Sequence, residues 1–204
     1  MSYGELKTDF EGLLKRRDLT PTQSAAFLRQ GINRAQRVLR IPPMEKSILV
    51  TYDGQTFTNG QIPIPGDYLK LIGITANDSI ALTSADLQTV LDLAQFTGEP
   101  TRYIRRGSMW KFGKTPDAGT VFRVDYYNEF SELSDDNDSN YLTGGARDLA
   151  VYYALGYAGD HFIDRRTESW KATAEAIRDE IQDQADQDTL VNAAVAPGFC
   201  YPED

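Results

Sequence analysis

The chain has 204 residues, 41% of them apolar, and a formal charge of −9 from 21 Lys/Arg against 30 Asp/Glu. That length and composition suit one globular domain with its own core and argue against a disordered chain. The longest uncharged runs, 149–159 and 189–202, fall short of the ~20 apolar residues a spanning helix needs. The first residues, MSYGELKTDFEGLLKRR, carry acids early and have no apolar segment of the signal-peptide kind. A single cysteine, Cys200, excludes an intrachain disulfide framework and points to synthesis in a reducing cytoplasm. The charge is uneven. Residues 1–40 hold eight Lys/Arg against four Asp/Glu, and the other 164 hold thirteen against twenty-six. Such a split suits two different partner surfaces, or a basic helix folded onto its own acidic domain.

The spacing of Leu6, Phe10, Leu13 and Leu14 predicts a helix over 3–17, with Lys15, Arg16 and Arg17 at its C-terminal end where cations suit the dipole. Thr20-Pro21-Thr22-Gln23 reads as a fresh start: an N-cap, a proline at the first helical position and a capping-box glutamine. Ala25, Leu28, Ile32, Ala35 and Leu39 then form a narrow apolar seam, with Arg29, Arg34, Arg37 and Arg40 outside it. Ile41-Pro42-Pro43 ends this helix. The two helices are expected to pair antiparallel.

The middle of the chain reads as β. Strands are predicted at 47–52, 61–64, 68–75, 101–105, 108–112 and 120–127, with turns at Asp53-Gly54, Asn77-Asp78, Arg106-Gly107 and 116–119. A short helix is predicted at 84–95, with Leu87, Val90, Leu91 and Ala94 on one face. The close, regular spacing implies antiparallel hairpins rather than βαβ units. After an acidic loop at 134–140, helix returns over 145–162, with Leu149, Tyr152, Tyr153, Gly156 and Tyr157 on one face. A last helix is predicted over 167–187, seamed by Trp170, Ala174, Ile177, Ile181 and Ala185, followed by an extended tail at 189–204.

The expected class is α+β. Residues 1–188 form one domain with a helix pair at 1–41, a β-rich antiparallel insertion at 46–130 and a second helix pair at 143–188. The four helices would pack as a bundle with the β region projecting from one end.

Little in the chain supports catalysis. The only histidine, His161, sits on a predicted helix and no G-x-S-x-G elbow is present. A Cys–His pair would need Cys200, close to the C-terminus. One Cys and one His cannot build a zinc site. Asp136-x-Asp138-x-Asn140 opens like a calcium loop, but Tyr141 replaces its glycine and Arg147 its glutamate. A flexible acidic loop is the expectation there, and no metal or cofactor is expected. Gly144-Gly145 suits a helix start, without any phosphate-loop signature. Asp125, Glu129 and Glu132 offer carboxylates for glycoside cleavage only in the sense that any acidic chain does. The acidic balance also argues against nucleic-acid readout, for which only the arginine helix would serve.

A series of ordered segments resembles the head-to-tail adaptor (connector) proteins of tailed bacteriophages. They are Ile64-Pro65-Gly66-Asp67-Tyr68-Leu69-Lys70-Leu71, then Gly98-Glu99-Pro100-Thr101-Arg102-Tyr103. Met109-Trp110-Lys111-Phe112 follows with Thr115-Pro116, then 121–127 and the 138–140 loop after Leu133, and finally 149–155 with a helix through Asp164 and Trp170. The likeness runs over about 1–188 and lies in order and spacing, not in one motif.

The resemblance implies a virion protein without catalytic residues, forming a ring, commonly dodecameric, under the portal. The ring would extend a channel that DNA passes without sequence-specific binding, and it would offer a platform to tail or nozzle proteins. It implies no membrane partner. It also implies that the C-terminal segment docks on the portal, which assigns that role to Asn192, Pro197, Phe199 and Tyr201. Arg29, Arg34, Arg37 and Arg40 are the expected subunit contact, meeting an acidic face of the adjacent copy. The competing readings are another tail-completion protein, a peptidoglycan-cleaving virion enzyme and a DNA-binding regulator.

Overall fold

The computed structural model describes residues 1–193, with side chains described through Gln187. The chain is mixed α and β and divides into two compact units: residues 1–43 with 130 onward, and residues 44–129.

The first unit is helical. Helix α1 (Tyr3–Leu14) starts at Ser2 through a capping box with Glu5. It is shorter than the sequence predicted. Lys15 adopts a left-handed conformation (φ 51°) and closes the helix by donating to the Glu11 carbonyl. The basic triplet therefore lies beyond the helix, where Arg16 pairs with Asp18 at 2.8 Å and lies over the Phe162 ring. Helix α2 (Pro21–Val38) has the predicted start: Thr20 accepts from the Gln23 N–H, and the Gln23 side chain accepts from the Thr20 N–H. Its buried face is wider than the predicted seam and includes Ser24, Phe27 and Gly31.

Both helices pack chiefly on a helix far along the chain, and less on each other. That helix is α5 (Arg147–Phe162), entered through the short α4 (Tyr141–Gly144). Leu149, Ala150, Val151, Tyr153, Ala154, Leu155, Gly156, Ala158 and Gly159 of α5 are all buried. Tyr152 and Tyr157, expected on its core face, are only half-buried. A helix wrapped on nearly every side has no single apolar stripe for periodicity to find. Alanines at 150, 154 and 158 let neighbours come close. A Cβ on Gly31 would lie 2.6 Å from the Ala150 carbonyl oxygen and 2.7 Å from the Ala154 nitrogen.

Helix α6 (Thr167–Ala193) is longer than predicted. The stretch 189–193, read from sequence as extended tail, is its last part, because no proline or glycine stops the helix before Pro197. Trp170, Ala174 and Ala185 are buried, while Ile177 and Ile181 are half-buried. Arg166 fastens two helix ends. It donates to the Leu14 and Leu13 carbonyls at the end of α1, pairs with Asp164 at 2.8 Å and lies over the Trp170 ring.

The second unit holds two four-stranded sheets. Its strands are β1 (Glu45–Thr51), β2 (Gln61–Pro63), β3 (Tyr68–Ala76), β4 (Ile80–Ala81), β5 (Thr83–Ser84), β6 (Arg102–Arg106), β7 (Met109–Phe112) and β8 (Val121–Asn128). One sheet runs β1-β8-β3-β4, all antiparallel; the other runs β2-β7-β6-β5, with β5 parallel to β6. Two of the predicted turns make hairpins, the first with a strand, β4, that the sequence did not predict. Asn77 and Asp78, with φ of 49° and 53°, turn β3 into β4, and Gly107 at φ 62° turns β6 into β7.

The other two do not. Asp53-Gly54 does not join β1 to β2. Asp53 instead accepts from the N–H groups of Gln55, Thr56 and Phe57, which winds the chain into a local loop. Nor does the 116–119 turn pair β7 with β8. Gly119 donates to the Tyr52 carbonyl, which delivers β8 alongside β1 in the other sheet.

The inner faces share one core of Tyr52, Ile62, Ile74, Trp110, Phe112, Phe122, Val124 and Tyr126 among others. Phe112 and Phe122, from different sheets, stack at 4.2 Å and 11°. Helix α3 (Leu87–Leu93) is capped by Asp86, but only Val90 of its predicted face is buried; Leu87 and Leu91 are exposed.

Asp53 and Asp164 titrate at about 2. Asp53 is held down by hydrogen bonds from the Thr56 side chain and from the N–H groups around it. Asp164 is held down by the Arg166 side chain and N–H. Both lie below the ~3.9 of an unfolded aspartate. The stability they confer is therefore complete above about pH 4 and is lost as pH falls towards 2. Carboxyl carbon shifts followed by NMR should show both inflections near 2; inflections near 4 would remove these bonds from solution.

Candidate interaction surfaces

The resemblance segments between Ile64 and Tyr127 are the framework of the β unit. Ile64 donates to the Ser108 carbonyl, and the Tyr68 N–H donates to the Pro65 carbonyl, so 65–68 is a tight turn into β3. Asp67 leaves that turn to accept from the buried Tyr126 hydroxyl at 2.9 Å and from Lys46 at 2.6 Å. Burial works to raise the Asp67 carboxyl, but those two donors outweigh it and leave it lowered. Tyr68 packs edge-on against Trp110 at 5.5 Å. Gly98, at φ 118°, donates to the Thr115 carbonyl and ties the turn before β6 to the loop after β7. Asp67 links β1, through Lys46, to β8, through Tyr126.

His161 is exposed near the end of α5, with its ring against Phe27 (5.5 Å) and Phe162 (4.8 Å). Asp125 lies within β8, opposite Ser47 and Gly73, while Glu129 and Glu132 are exposed residues outside the strands. Cys200 lies outside the described residues.

The acidic loop is structured by local bonds. Its Asp136 and Asp138 carbonyls accept the first N–H groups of α1, from Gly4 and Tyr3, at 2.9 Å each. The Asp136 carboxylate binds Lys7 at 2.6 Å, and Asp138 accepts from the N–H groups of Asp135 and Ser134. Those bonds hold the Asp138 carboxyl below its ordinary value. Asn140 caps α4 by accepting from Leu142. The three side chains of the calcium-like spacing thus serve three separate tasks. Among the described residues, no group of three or more His, Cys, Asp or Glu side chains could hold a metal ion. Gly144 and Gly145 close α4 rather than start α5; a Cβ on Gly145 would meet the Tyr141 ring at 2.5 Å.

The arginines of α2 separate into two pairs. Arg34 is half-buried, 3.7 Å from Glu175 of α6 and over the Tyr153 ring. It borders a surface cavity of about 190 Å³ lined by Tyr152, Tyr153, Tyr157 and Lys171 among others. Burial raises the Tyr153 hydroxyl above its ordinary value. Arg40 is also half-buried, and its backbone is clamped by the Gln182 side chain, which accepts from the Arg40 N–H and donates to its carbonyl.

Arg29 and Arg37 are exposed. Among the described residues, Arg37 donates only to the Asn33 carbonyl of its own helix, and Arg29 makes no hydrogen bond or ion pair. On α6, Asp179, Glu180, Asp183 and Asp186 are exposed acids, so the helical unit carries opposite charges on two of its helices. Sequence alone could not divide the four arginines, because Glu175 and Gln182 lie about 140 residues further along the chain.

Of the residues assigned to portal docking, Asn192 is in the last turn of α6 rather than in an extended tail. Pro197, Phe199 and Tyr201 lie outside the described residues. No described helix is long and apolar enough to cross a membrane.

No curated protein sequence matches the chain. A family model described as SU10 adaptor protein matches residues 1–197. That match covers both the helical and the β unit and agrees with the ordered segments that frame them: the chain belongs to the SU10 adaptor protein family, and it is a bacteriophage structural protein of the head-to-tail adaptor kind.

Proposed function

We propose that this protein assembles into a closed ring, dodecameric as the resemblance implies, beneath the phage portal. There it extends the DNA channel and carries the tail or nozzle protein. The family match over 1–197 is the observation that carries the reading. In it, the helices form the four-helix bundle of a single adaptor domain, the β unit is its insertion, and the segment from Asn192 to Tyr201 docks on the portal. The charge pattern supports it. A ring needs two different, complementary patches on each copy, and exposed Arg29 and Arg37 on α2 with Asp179, Glu180, Asp183 and Asp186 on α6 supply both signs. Arg34 and Arg40, engaged within the chain, position α2 for that contact.

Mixing the protein with the portal of the same genome and viewing the particles end-on by electron microscopy tests the reading. A second ring stacked on the portal is the expected result. A bare portal beside free protein would assign the chain to the tail side. Replacing both Arg29 and Arg37 with glutamate should abolish the ring while leaving far-ultraviolet circular dichroism unchanged. Reversing Asp183 and Asp186 to arginine in that background should restore it. Rings that form equally well from the double variant would exclude this face as the contact.

A further inference from the structure

The two sheets have four edge strands, and three of them are blunted. β2 has three residues, ends in Pro63 and is followed by Pro65, while β4 and β5 have two residues each. Short edges and prolines are the usual protection against unwanted strand pairing. β1 has none of these devices. It is seven residues long, Glu-Lys-Ser-Ile-Leu-Val-Thr, pairs only with β8 among the described residues, and has no proline, glycine or bulge.

The direction of its backbone groups follows from the ladder. The Tyr52 N–H donates to the Thr120 carbonyl, so alternation turns Val50, Ile48 and Lys46 towards β8. Glu45, Ser47, Leu49 and Thr51 then aim their N–H and C=O groups at the open edge. All four are exposed, and no described residue hydrogen-bonds to their backbone. The side chains at this edge are equally unfinished. Ile48 and Val50 face the core but are only partly buried, and Leu49 on the other face is 64% exposed.

We propose that the open edge of β1 receives an extended strand from a different virion protein, so that the β1-β8-β3-β4 sheet gains a fifth, intermolecular strand. The chemistry of the edge specifies the partner. Outward backbone donors and acceptors at every second residue are matched by another backbone. Apolar side chains at alternate positions of the incoming strand would finish the burial of Ile48 and Val50. A second copy of this chain fits poorly. β2, β4 and β5 offer at most three residues, and the part of β3 that runs past β4 is broken by two register shifts against β8. Pairing β1 with β1 would be two-fold symmetric and would end in a dimer instead of passing around a ring. The C-terminal sequence 194–204 contains Pro197 and Pro202, which leave no seven-residue run without proline. That the partner is a virion protein rests on the adaptor reading above; that the edge takes a strand rests on β1 itself.

The test uses the full chain with two probes, the purified portal and the purified tail protein of the same genome. Hydrogen exchange at the Ser47, Leu49 and Thr51 amides should be fast in the adaptor alone and slow by at least about tenfold with one of the two probes. Leu49→Pro removes one outward N–H and should weaken that probe's binding by about tenfold. Because the Leu49 N–H takes no part in the β1–β8 ladder, the fold should survive. Ser47→Pro provides an independent second variant. Unchanged exchange with both probes, or unchanged binding by both variants, overturns the strand proposal even if stacked rings form normally. Protection that rises with adaptor concentration alone also overturns it, because the occupant is then a second copy. Absence of any ring from the wild-type chain would instead count against the adaptor reading.

Discussion

Gly31→Ala should lower the stability of the helical unit by about 1–3 kcal/mol, the range for forcing extra volume into a packed site. At most solvent-facing helix positions the same change is favourable by about 0.5–1 kcal/mol, because alanine has the better helix propensity. The sign reverses at Gly31 because the new methyl would sit 2.6 Å from the Ala150 carbonyl oxygen and 2.7 Å from the Ala154 nitrogen. Those atoms are backbone of α5 and cannot rotate away. To admit the methyl, α2 must move off α5, the helix against which α1 and α6 are also packed. Gly12 in α1 is the control, since a Cβ there meets nothing within 4 Å. Trp170 is buried in this unit, so its fluorescence during urea unfolding, in a Trp110→Phe background, reports the change. A Gly31→Ala midpoint equal to that of the parent would mean that the two helices are not in contact at this glycine in solution.

Local signals in the sequence led to correct local structure. The start of α2 was legible because every group in its capping box lies within four residues: Thr20, Pro21 and Gln23 need nothing from the rest of the chain. The Asn77-Asp78 turn was legible for the same reason, as both residues tolerate positive φ. What failed depended on distant partners. Asp53-Gly54 has hairpin composition, but the strand that completes the β1 ladder is β8, some seventy residues on. The face assigned to α5 is buried at Leu149, Tyr153 and Gly156 but only half-buried at Tyr152 and Tyr157, because α1, α2 and α6 all pack on α5 and bury residues on its other sides as well. Leu87 and Leu91 obey helical spacing yet stay exposed, since periodicity shows that a helix has an apolar face and not that the same chain covers it.

The interaction surfaces were legible only in outline. The arginine row on α2 could be read directly, and its four members looked equivalent. Their difference arises from Glu175 and Gln182, which reach Arg34 and the Arg40 backbone through the tertiary fold. The open edge of β1 had no sequence signature at all. An edge is defined by what does not pair beside it, which requires the full strand order. The family segments were legible as a pattern before their work was known. Asp67, for example, holds Lys46 and the buried Tyr126 hydroxyl together at the root of β3.

Phe112→Ala should cost the β unit about 3–5 kcal/mol, the range for deleting a buried phenylalanine ring. Phe112 is fully buried and stacks on Phe122, also fully buried, at 4.2 Å. Because Phe112 belongs to β7 and Phe122 to β8, the pair joins the inner faces of the two sheets, and losing one ring leaves a void where they meet. Phe112→Leu refills most of that volume and should cost less than about 1.5 kcal/mol. Trp110, two residues earlier on β7 and 1% exposed, reports on this unit in a Trp170→Phe background. A Phe112→Ala midpoint within experimental scatter of the parent would show that the sheets do not share a core. The same variant observed through Trp170 decides how the chain unfolds. A shift seen only by Trp110 makes the helical and β units separate cooperative blocks, and a shift seen by both tryptophans makes them one. The first outcome suits the proposed ring, in which a partner strand at β1 would remodel the β unit while the helices stay folded, because a unit that opens on its own can gain a strand without loosening the other.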